Sequence, residues 1–254
     1  MRVLTKLYMH RLIRQKFVSV FFLCLFAASY SYAFLISTPE MESMLNVNME
    51  QVGKGNFPEF MIRFYVGTVG ILFVTFLITF YICEEDKRGI LFQPLLHGES
   101  RSGILKSKLS VIGSMSFFFV LFTGFLHYVT AFMRWGRAVL ETGILLRVVI
   151  KYLFSGVYMA CLAIGIVAIC IWTRSTLKTV SAVIFYLFID AFICGMDSAL
   201  LKNLWIGYYP NLSLFSYEYR EIPWNTIFWG SIVIAVYGIL FYRIAMERVG
   251  KIDV

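Results

Sequence analysis

Six long apolar stretches, separated by short polar segments, constrain this chain more than any other feature of its sequence. Each has about the 20 mostly apolar residues that an α-helix needs to cross a hydrocarbon layer of roughly 30 Å. Hydrophobic residues make up 59% of the 254 residues, charged residues make up 15%, and the mean hydropathy is +0.76, which excludes an ordinary soluble domain. We therefore predict an all-α polytopic membrane protein, a single membrane domain over residues 1–254, with six transmembrane helices at Phe17–Ile36, Phe60–Cys83, Leu109–Met133, Val148–Trp172, Leu177–Leu200 and Trp224–Phe241.

The distribution of basic residues predicts how these spans are oriented. With the N-terminus inside, the cytoplasmic segments hold 15 of the 23 Lys and Arg residues, and these segments are 1–16, 84–108, 173–178 and 242–254. Cytoplasmic loops carry the excess of Lys and Arg, so this orientation is favoured and both termini are predicted to be cytoplasmic. The net charge of +8 then belongs to the membrane surface rather than to a nucleic-acid site. Four basic residues near the third and fourth spans oppose this topology: Arg134, Arg137, Arg147 and Lys151.

Motifs for catalysis and metal binding are incomplete. A phosphate-binding loop needs Lys directly after its second glycine, but two residues separate Gly103 from Lys106. The Glu84-Glu85 pair and Arg88 are spaced one residue too closely for the E-E-x-x-x-R signature of intramembrane proteases. The five cysteines form no C-x-x-C pair, and none lies in a predicted external loop. We expect no catalytic residue, no metal and no cofactor in this chain.

A short charged segment, residues 84–108, joins the second and third spans and carries a sequence pattern. The pattern resembles the segment of ABC-2 type transporter permeases that reads E-x-x-x-G-T-L, followed by a proline, a Ser-Arg pair and a Lys that opens the next span. Two positions depart from it, because Ile90 replaces the threonine and Gly98 stands where the proline is expected. The matching positions are Glu85, Gly89, Leu91, Ser100, Arg101 and Lys108.

The resemblance implies that residues 84–108 are the coupling segment of a pump whose ATPase is a separate cytoplasmic chain. That partner would bind ATP and Mg²⁺, and a second permease copy or a homologous permease would complete the pathway through the lipid bilayer. A short helix would insert an apolar face into a groove of the ATPase, at Leu91, Phe92, Leu95 and Leu96. A polar rim would set its register, at Glu84, Glu85, Asp86 and Arg101. The alternative is a solvated loop with ordinary juxtamembrane charges.

The spacing of apolar residues near the N-terminus is typical of a helix. Residues 1–16 have apolar residues at three- and four-residue steps, at Val3, Leu4, Leu7, Tyr8 and Leu12, with basic residues between them. This pattern predicts an N-terminal interfacial helix, although a basic flank that only fixes orientation would look similar.

The external segment 201–223 is rich in Trp and Tyr, and is interrupted by Pro210 and Pro223. It is typical of an aromatic anchoring belt, with a re-entrant piece as the alternative.

Polar side chains inside the predicted spans are candidates for a substrate path. Asp190 lies within the fifth span, and Asp197 is predicted seven residues further along the same helical face. A carboxylate at membrane depth needs a cavity or a partner, so Asp190 either lines the path or bonds a neighbouring helix through Tyr186 or Tyr158. His127, in the third span, is more typical of an interhelical hydrogen bond than of a ligand site.

The resemblance extends to small six-span permeases of bacteriocin-immunity pumps and of exporters for phenol-soluble modulins. It implies export of amphipathic or toxic peptides across a bacterial cytoplasmic membrane. Export of a lipid-linked glycan or a drug is the alternative within transport. A membrane scaffold or sensor, whose segment 84–108 docks a different partner, is the alternative outside transport.

Overall fold

All of the regular structure in the described part of the chain is helical. The computed structural model describes residues 2–13, 16–36, 57–87, 94–95, 98–136, 142–209 and 224–250, and these ranges contain no β-strand. A π-helical turn, Tyr65–Val69, joins the helix that ends at Phe64 to the helix that begins at Gly70. The helices, in chain order, are α1 (Arg2–Ile13), α2 (Lys16–Ile36), α3 (Phe57–Phe64), α4 (Gly70–Lys87), α5 (Arg101–Trp135), α6 (Thr142–Thr173), α7 (Thr176–Gly195), α8 (Ala199–Leu204) and α9 (Trp224–Gly250).

The helices fall where the hydropathy places the spans. Four of them, α5, α6, α7 and α9, are long and apolar enough to cross a membrane. Two shorter apolar helices occupy Val18–Phe34 and Gly67–Cys83. The all-helical prediction is confirmed. The second predicted span, Phe60–Cys83, runs from α3 through the π-helical turn into α4, and each of the other five overlaps one of these helices. Crossing by the two shorter helices stays a prediction.

The predicted end of the fifth span, Leu177–Leu200, is wrong. Helix α7 ends at Gly195, and a break of three residues separates it from α8. The Ser198 hydroxyl accepts a hydrogen bond from the Leu201 backbone N–H at 3.5 Å, which starts a new helix. Hydropathy did not show this break, because the residues of α8 are themselves mostly apolar.

Helix α5 begins eight residues earlier than the predicted third span, Leu109–Met133. Ser100 caps it, since its hydroxyl oxygen accepts from the Gly103 N–H at 3.1 Å. The helix ends at Gly136, whose φ of +64° suits a residue without a Cβ. Lys108 therefore lies two turns inside a continuous helix.

Helix α6 is the centre of the bundle. Its apolar stretch is 78% buried inside the protein, against 17% for α7 and 11% for α9. It packs against α4, α5, α7 and α9, whereas α7 packs mainly on α4 and α6. Aromatic side chains fill the space over its glycines, with Phe117 on Gly156 and Phe241 on Gly165. Small residues let membrane helices approach closely, and here aromatic rings use the space they leave.

We expect Gly124→Ala to separate α5 from α6. A Cβ at Gly124 would lie 2.5 Å from the ring of Tyr152 on α6, so the ring or the helix must move. Overpacking of this kind costs about 1–3 kcal/mol. Thermal unfolding in detergent should show the loss. Gly113→Ala on the same helix is the control, because its Cβ would meet no atom within 4 Å. Equal stability of the two variants would contradict the packing described here.

Candidate functional site

A buried ion pair joins the two helices that flank residues 84–108, which we call the hairpin segment. Glu85 lies in the last turn of α4, and Lys108 lies in the second turn of α5. The Lys108 ammonium group donates a hydrogen bond to the Glu85 carboxylate, and both side chains are buried. The predicted polar rim is therefore wrong at Glu85, since this carboxylate points into the protein rather than towards a partner.

Two tyrosine rings complete the surroundings of the Lys108 ammonium group. Its nitrogen lies 4.5 Å from the ring centroid of Tyr81 on α4 and 4.7 Å from that of Tyr8 on α1. The two rings meet edge to face, with their centroids 6.0 Å apart. Ring faces attract cations, most strongly where water is excluded. We call these four side chains, Tyr8, Tyr81, Glu85 and Lys108, the Lys108 cage.

The Lys108 cage gives α1 a fixed place on the bundle. Tyr8 is almost fully buried, whereas its neighbour Leu7 is 61% exposed and points away from the protein. Helix α1 packs mainly on α5. The interfacial helix predicted for residues 1–16 is thus a helix from Arg2 to Ile13 that docks through Tyr8, with Leu7 free to face lipid.

The other predicted coupling residues lie around the start of α5. Ser100 is the cap of that helix, and Arg101 is its first residue and half-buried. Leu95 is half-buried in a short 3₁₀ turn. Gly98 has a φ of +82°, a conformation that suits glycine, and its N–H bonds the Leu95 carbonyl oxygen at 3.0 Å. The predictions at Gly89, Leu91 and Phe92 lie outside the described residues.

A second polar cluster lies at the opposite end of the bundle, around Asp190 on α7. Asp190 is 4% exposed, and its carboxylate oxygen Oδ1 accepts a hydrogen bond of 2.6 Å from the Trp205 indole N–H. The Trp205 ring stacks on Tyr186, with centroids 5.6 Å apart. The Tyr186 hydroxyl is 3.1 Å from that of Tyr158 on α6. We call this group, with Gly207, the Asp190 cluster.

Gly207 allows the chain after α8 to fold back onto Asp190. A Cβ at this position would overlap Asp190 Oδ1 and lie 3.0 Å from the Trp205 indole nitrogen. The neighbouring residues Ile206 and Tyr209 are buried as well. The start of the segment predicted to be external therefore packs into the protein, and Trp205 is held against Tyr186 and Asp190 rather than standing out as a membrane anchor.

The predicted pairing of Asp190 with Asp197 is wrong. Asp197 is exposed in the break between α7 and α8, so the two carboxylates do not share a helical face. The sequence reasoning also missed Trp205, the partner of Asp190. The signal was present, because a buried indole N–H needs an acceptor and a buried carboxylate needs a donor.

His127 belongs to a third, separate group. Its Nδ1 lies 2.9 Å from the Tyr152 hydroxyl, which donates to the Pro58 carbonyl oxygen at 2.8 Å. Since that hydroxyl proton is used on Pro58, His127 Nδ1 carries the hydrogen and donates it. The group ties α3, α5 and α6 together. Among the described residues, no group of three or more His, Cys, Asp or Glu side chains is placed to hold a metal ion.

The helices and the hairpin segment define a multi-pass membrane protein, and no cofactor site is evident among the residues that the structure describes. Residues 9–190 match the family described as ABC-2 family transporter protein, and this is well over half of the chain. The chain belongs to that family and is the membrane component of an ABC-2 type transporter. Permeases of this family are typically not catalytic and generally pair with an ATPase subunit. No curated protein and no solved structure matches the chain.

Proposed function

We propose that this chain is the permease subunit of an ATP-driven exporter and that its hairpin segment docks a separate ATPase. The Lys108 cage carries the proposal. A buried ion pair holds the end of α4 against the start of α5, so a force applied to the hairpin segment moves both helices together. The ATP and Mg²⁺ that drive the movement are held by the partner and not by this chain.

The orientation follows from the placement of the ATPase. Six spans with both termini in the cytoplasm put the hairpin segment on the same side as the nucleotide. The exposed basic residues Arg174, Lys178 and Arg243 lie at the same end of the bundle, as the excess of positive charge inside requires. We assign residues 1–254 to one membrane domain in a bacterial cytoplasmic membrane, paired with a second copy or a homologous permease.

We propose that the helix bundle has two arrangements and that ATP hydrolysis by the partner is coupled to the change between them. Closure of the ATPase pushes on the hairpin segment, and this favours one arrangement over the other. Because Tyr8 contacts Lys108, α1 moves with the hairpin segment. Helix α1 would then move together with α4 and α5 at the membrane surface, where its exposed Leu7 contacts the lipid.

The substrates we propose are amphipathic or toxic peptides, taken from the bilayer or the cytoplasm. The Asp190 cluster supports this class, because it places a carboxylate and three aromatic rings at the outer end of the bundle. Asp190 acts on the path by holding Trp205, since its Oδ1 is bonded to that indole. His127 and exposed Asp197 are weaker path candidates. Stimulation of the ATPase by lipid-linked glycan or drug, and not by peptide, would favour the alternative substrates.

The docking surface can be tested by charge reversal at the start of α5. We expect Arg101→Glu to reduce co-purification of the ATPase and its stimulation by the permease at least about tenfold, the effect of losing roughly 1.4 kcal/mol of binding. Arg134→Glu, at the other end of the same helix and exposed, is the matched control and should leave both unchanged. Unchanged assembly and coupling in Arg101→Glu would show that the docking surface lies elsewhere. Failure to co-purify any nucleotide-binding protein with the unmodified chain would favour a scaffold or sensor.

A further inference from the structure

A groove runs along the bundle between α7 and α9, two helices that pack on α6 but make few contacts with each other. Its volume is about 350 Å³. Helix α6 forms the floor, with Leu162, Gly165 and Ile169. Trp205 and Ile206 close the outer end, and Trp172 and Ile244 line the end nearest the hairpin segment. We call it the lateral groove.

The chemistry of the lateral groove admits hydrocarbon and little else. None of the residues that line it is charged. Two of the polar groups among them are bonded inside the protein, since the Tyr186 hydroxyl meets Tyr158 and the Trp205 indole N–H meets Asp190. The other two belong to Trp172 and Tyr237, and the surface that the groove presents is almost wholly apolar. A peptide backbone or a sugar at this depth would lose its hydrogen bonds to water and gain too few in return.

The size of the lateral groove suits a slender apolar ligand better than a whole helix. One helical turn, about 10 Å across and 5.4 Å long, occupies roughly 400 Å³, so a helix of a second copy would rest over the opening of the groove and not inside it. Part of a single extended hydrocarbon chain is a suitable occupant, because it needs no hydrogen bonds and the groove is lined by apolar side chains. The groove also lies in the size range of small-molecule sites, which begin at about 300 Å³.

Positive charge lies at the hairpin-segment end of the lateral groove. The Arg248 guanidinium of α9 lies 5.7 Å from the ring centroid of Trp172, which lines that end. Arg248 is exposed, as are Arg174 and Lys178 at the adjoining ends of α6 and α7. Glu247 is the acidic side chain beside Arg248. Guanidinium groups are the preferred partners of phosphate, so this end suits a phospholipid head group.

We propose that the lateral groove holds one acyl chain of a phospholipid whose phosphate is bound at Arg248. The site goes beyond the proposed export function and does not depend on the ATPase. In the proposed orientation Arg248 lies at the cytoplasmic end of the bundle, so this phospholipid belongs to the inner leaflet. Bound lipid would fill the gap between α7 and α9, so the separation of these helices becomes sensitive to the surrounding membrane.

The test uses the full chain in vesicles of phosphatidylcholine and phosphatidylglycerol that contain a phospholipid with a diazirine on one acyl chain. After irradiation without ATP, we expect adducts to concentrate on Leu162, Ile169 and Phe241 over the outward-facing Phe188. Ile169→Trp should fill the lateral groove and abolish those adducts while Phe188 is still labelled. Phe185→Trp, on an exposed position outside the groove, is the matched control and should change nothing.

Arg248→Gln provides a second test that does not alter the packing, because this side chain is exposed. It should lower labelling of the lateral groove, and Arg134→Gln at the far end should not. Groove labelling no higher than at Phe188, or labelling that survives Ile169→Trp, would overturn the proposal. Disulfide formation between two copies of an Ile169→Cys variant would assign the groove to a second copy instead. None of these readouts needs ATPase coupling, so they fail or succeed independently of the export function.

Discussion

Replacing Lys108 with Met is expected to destabilise the protein by about 3–5 kcal/mol, the cost of breaking a buried ion pair by removing one partner. The Glu85 carboxylate would be left buried between α4 and α5 without its cation. The rings of Tyr8 and Tyr81 would also lose the charge that both of them contact. We expect α1 to detach from α5 as a consequence, and coupling to an ATPase to be lost with it.

Thermal unfolding in detergent and protease access to α1 measure these two effects. Lys106→Met is the matched control, because this lysine lies two residues earlier on the same helix and is exposed. The double variant Glu85→Gln/Lys108→Met should be more stable than Lys108→Met alone, since no uncompensated charge remains. If Lys108→Met and Lys106→Met unfold at the same temperature, the ion pair does not hold the hairpin segment together.

Exchanging the two charges should restore only part of the loss. In Glu85→Lys/Lys108→Glu the opposite charges are again adjacent. The carboxylate, however, would face the two tyrosine rings, whose faces are negative and repel it. Full recovery of stability would indicate that the rings contribute only packing.

The second large effect is expected from Gly207→Ala. The added methyl group would overlap Asp190 Oδ1, and because that carboxylate is buried and bonded to Trp205 we expect residues 205–209 to lift away from α7. Overpacking costs about 1–3 kcal/mol. Separating the Trp205 indole N–H from Asp190 adds the penalty of a buried carboxylate without that donor, about 1–3 kcal/mol or more for a charged group.

Thiol labelling can follow this movement directly. Ile206 is buried, so an Ile206→Cys variant should resist a water-soluble maleimide in the otherwise unchanged chain. The same cysteine should react when Gly207→Ala is added. Gly195→Ala is the control, because a Cβ there would meet no atom within 4 Å. A cysteine at position 206 that stays protected in the presence of Gly207→Ala would contradict the tight fit on Asp190.

The helices of the bundle could be predicted because each is long and apolar. The hairpin-segment residues Glu85 and Lys108 could also be singled out from their spacing. Their pairing could not, because it depends on how α4 and α5 face each other across residues 88–100. The contact of Tyr8 with Lys108 could not be predicted for the same reason, because it depends on how α1 packs against α5 and not on the sequence of α1 alone.

The Asp190 cluster was only half predictable. A carboxylate within a span signals a required partner, and Asp190 was identified on that ground. Trp205 lies fifteen residues away along the chain, beyond a helix break that apolar composition conceals. Its aromatic neighbours made an anchoring belt the obvious interpretation, and no local pattern indicated that the chain turns back at Gly207.

The docking of Tyr8 onto Lys108 also sets an order for biogenesis. Tyr8 is synthesised a hundred residues before Lys108. At about 5–20 residues per second, α1 waits roughly 5–20 s for its binding site to leave the ribosome. During that interval the bilayer surface is available to α1 and its site on Lys108 is not, so α1 reaches its final position only after the third span has been synthesised.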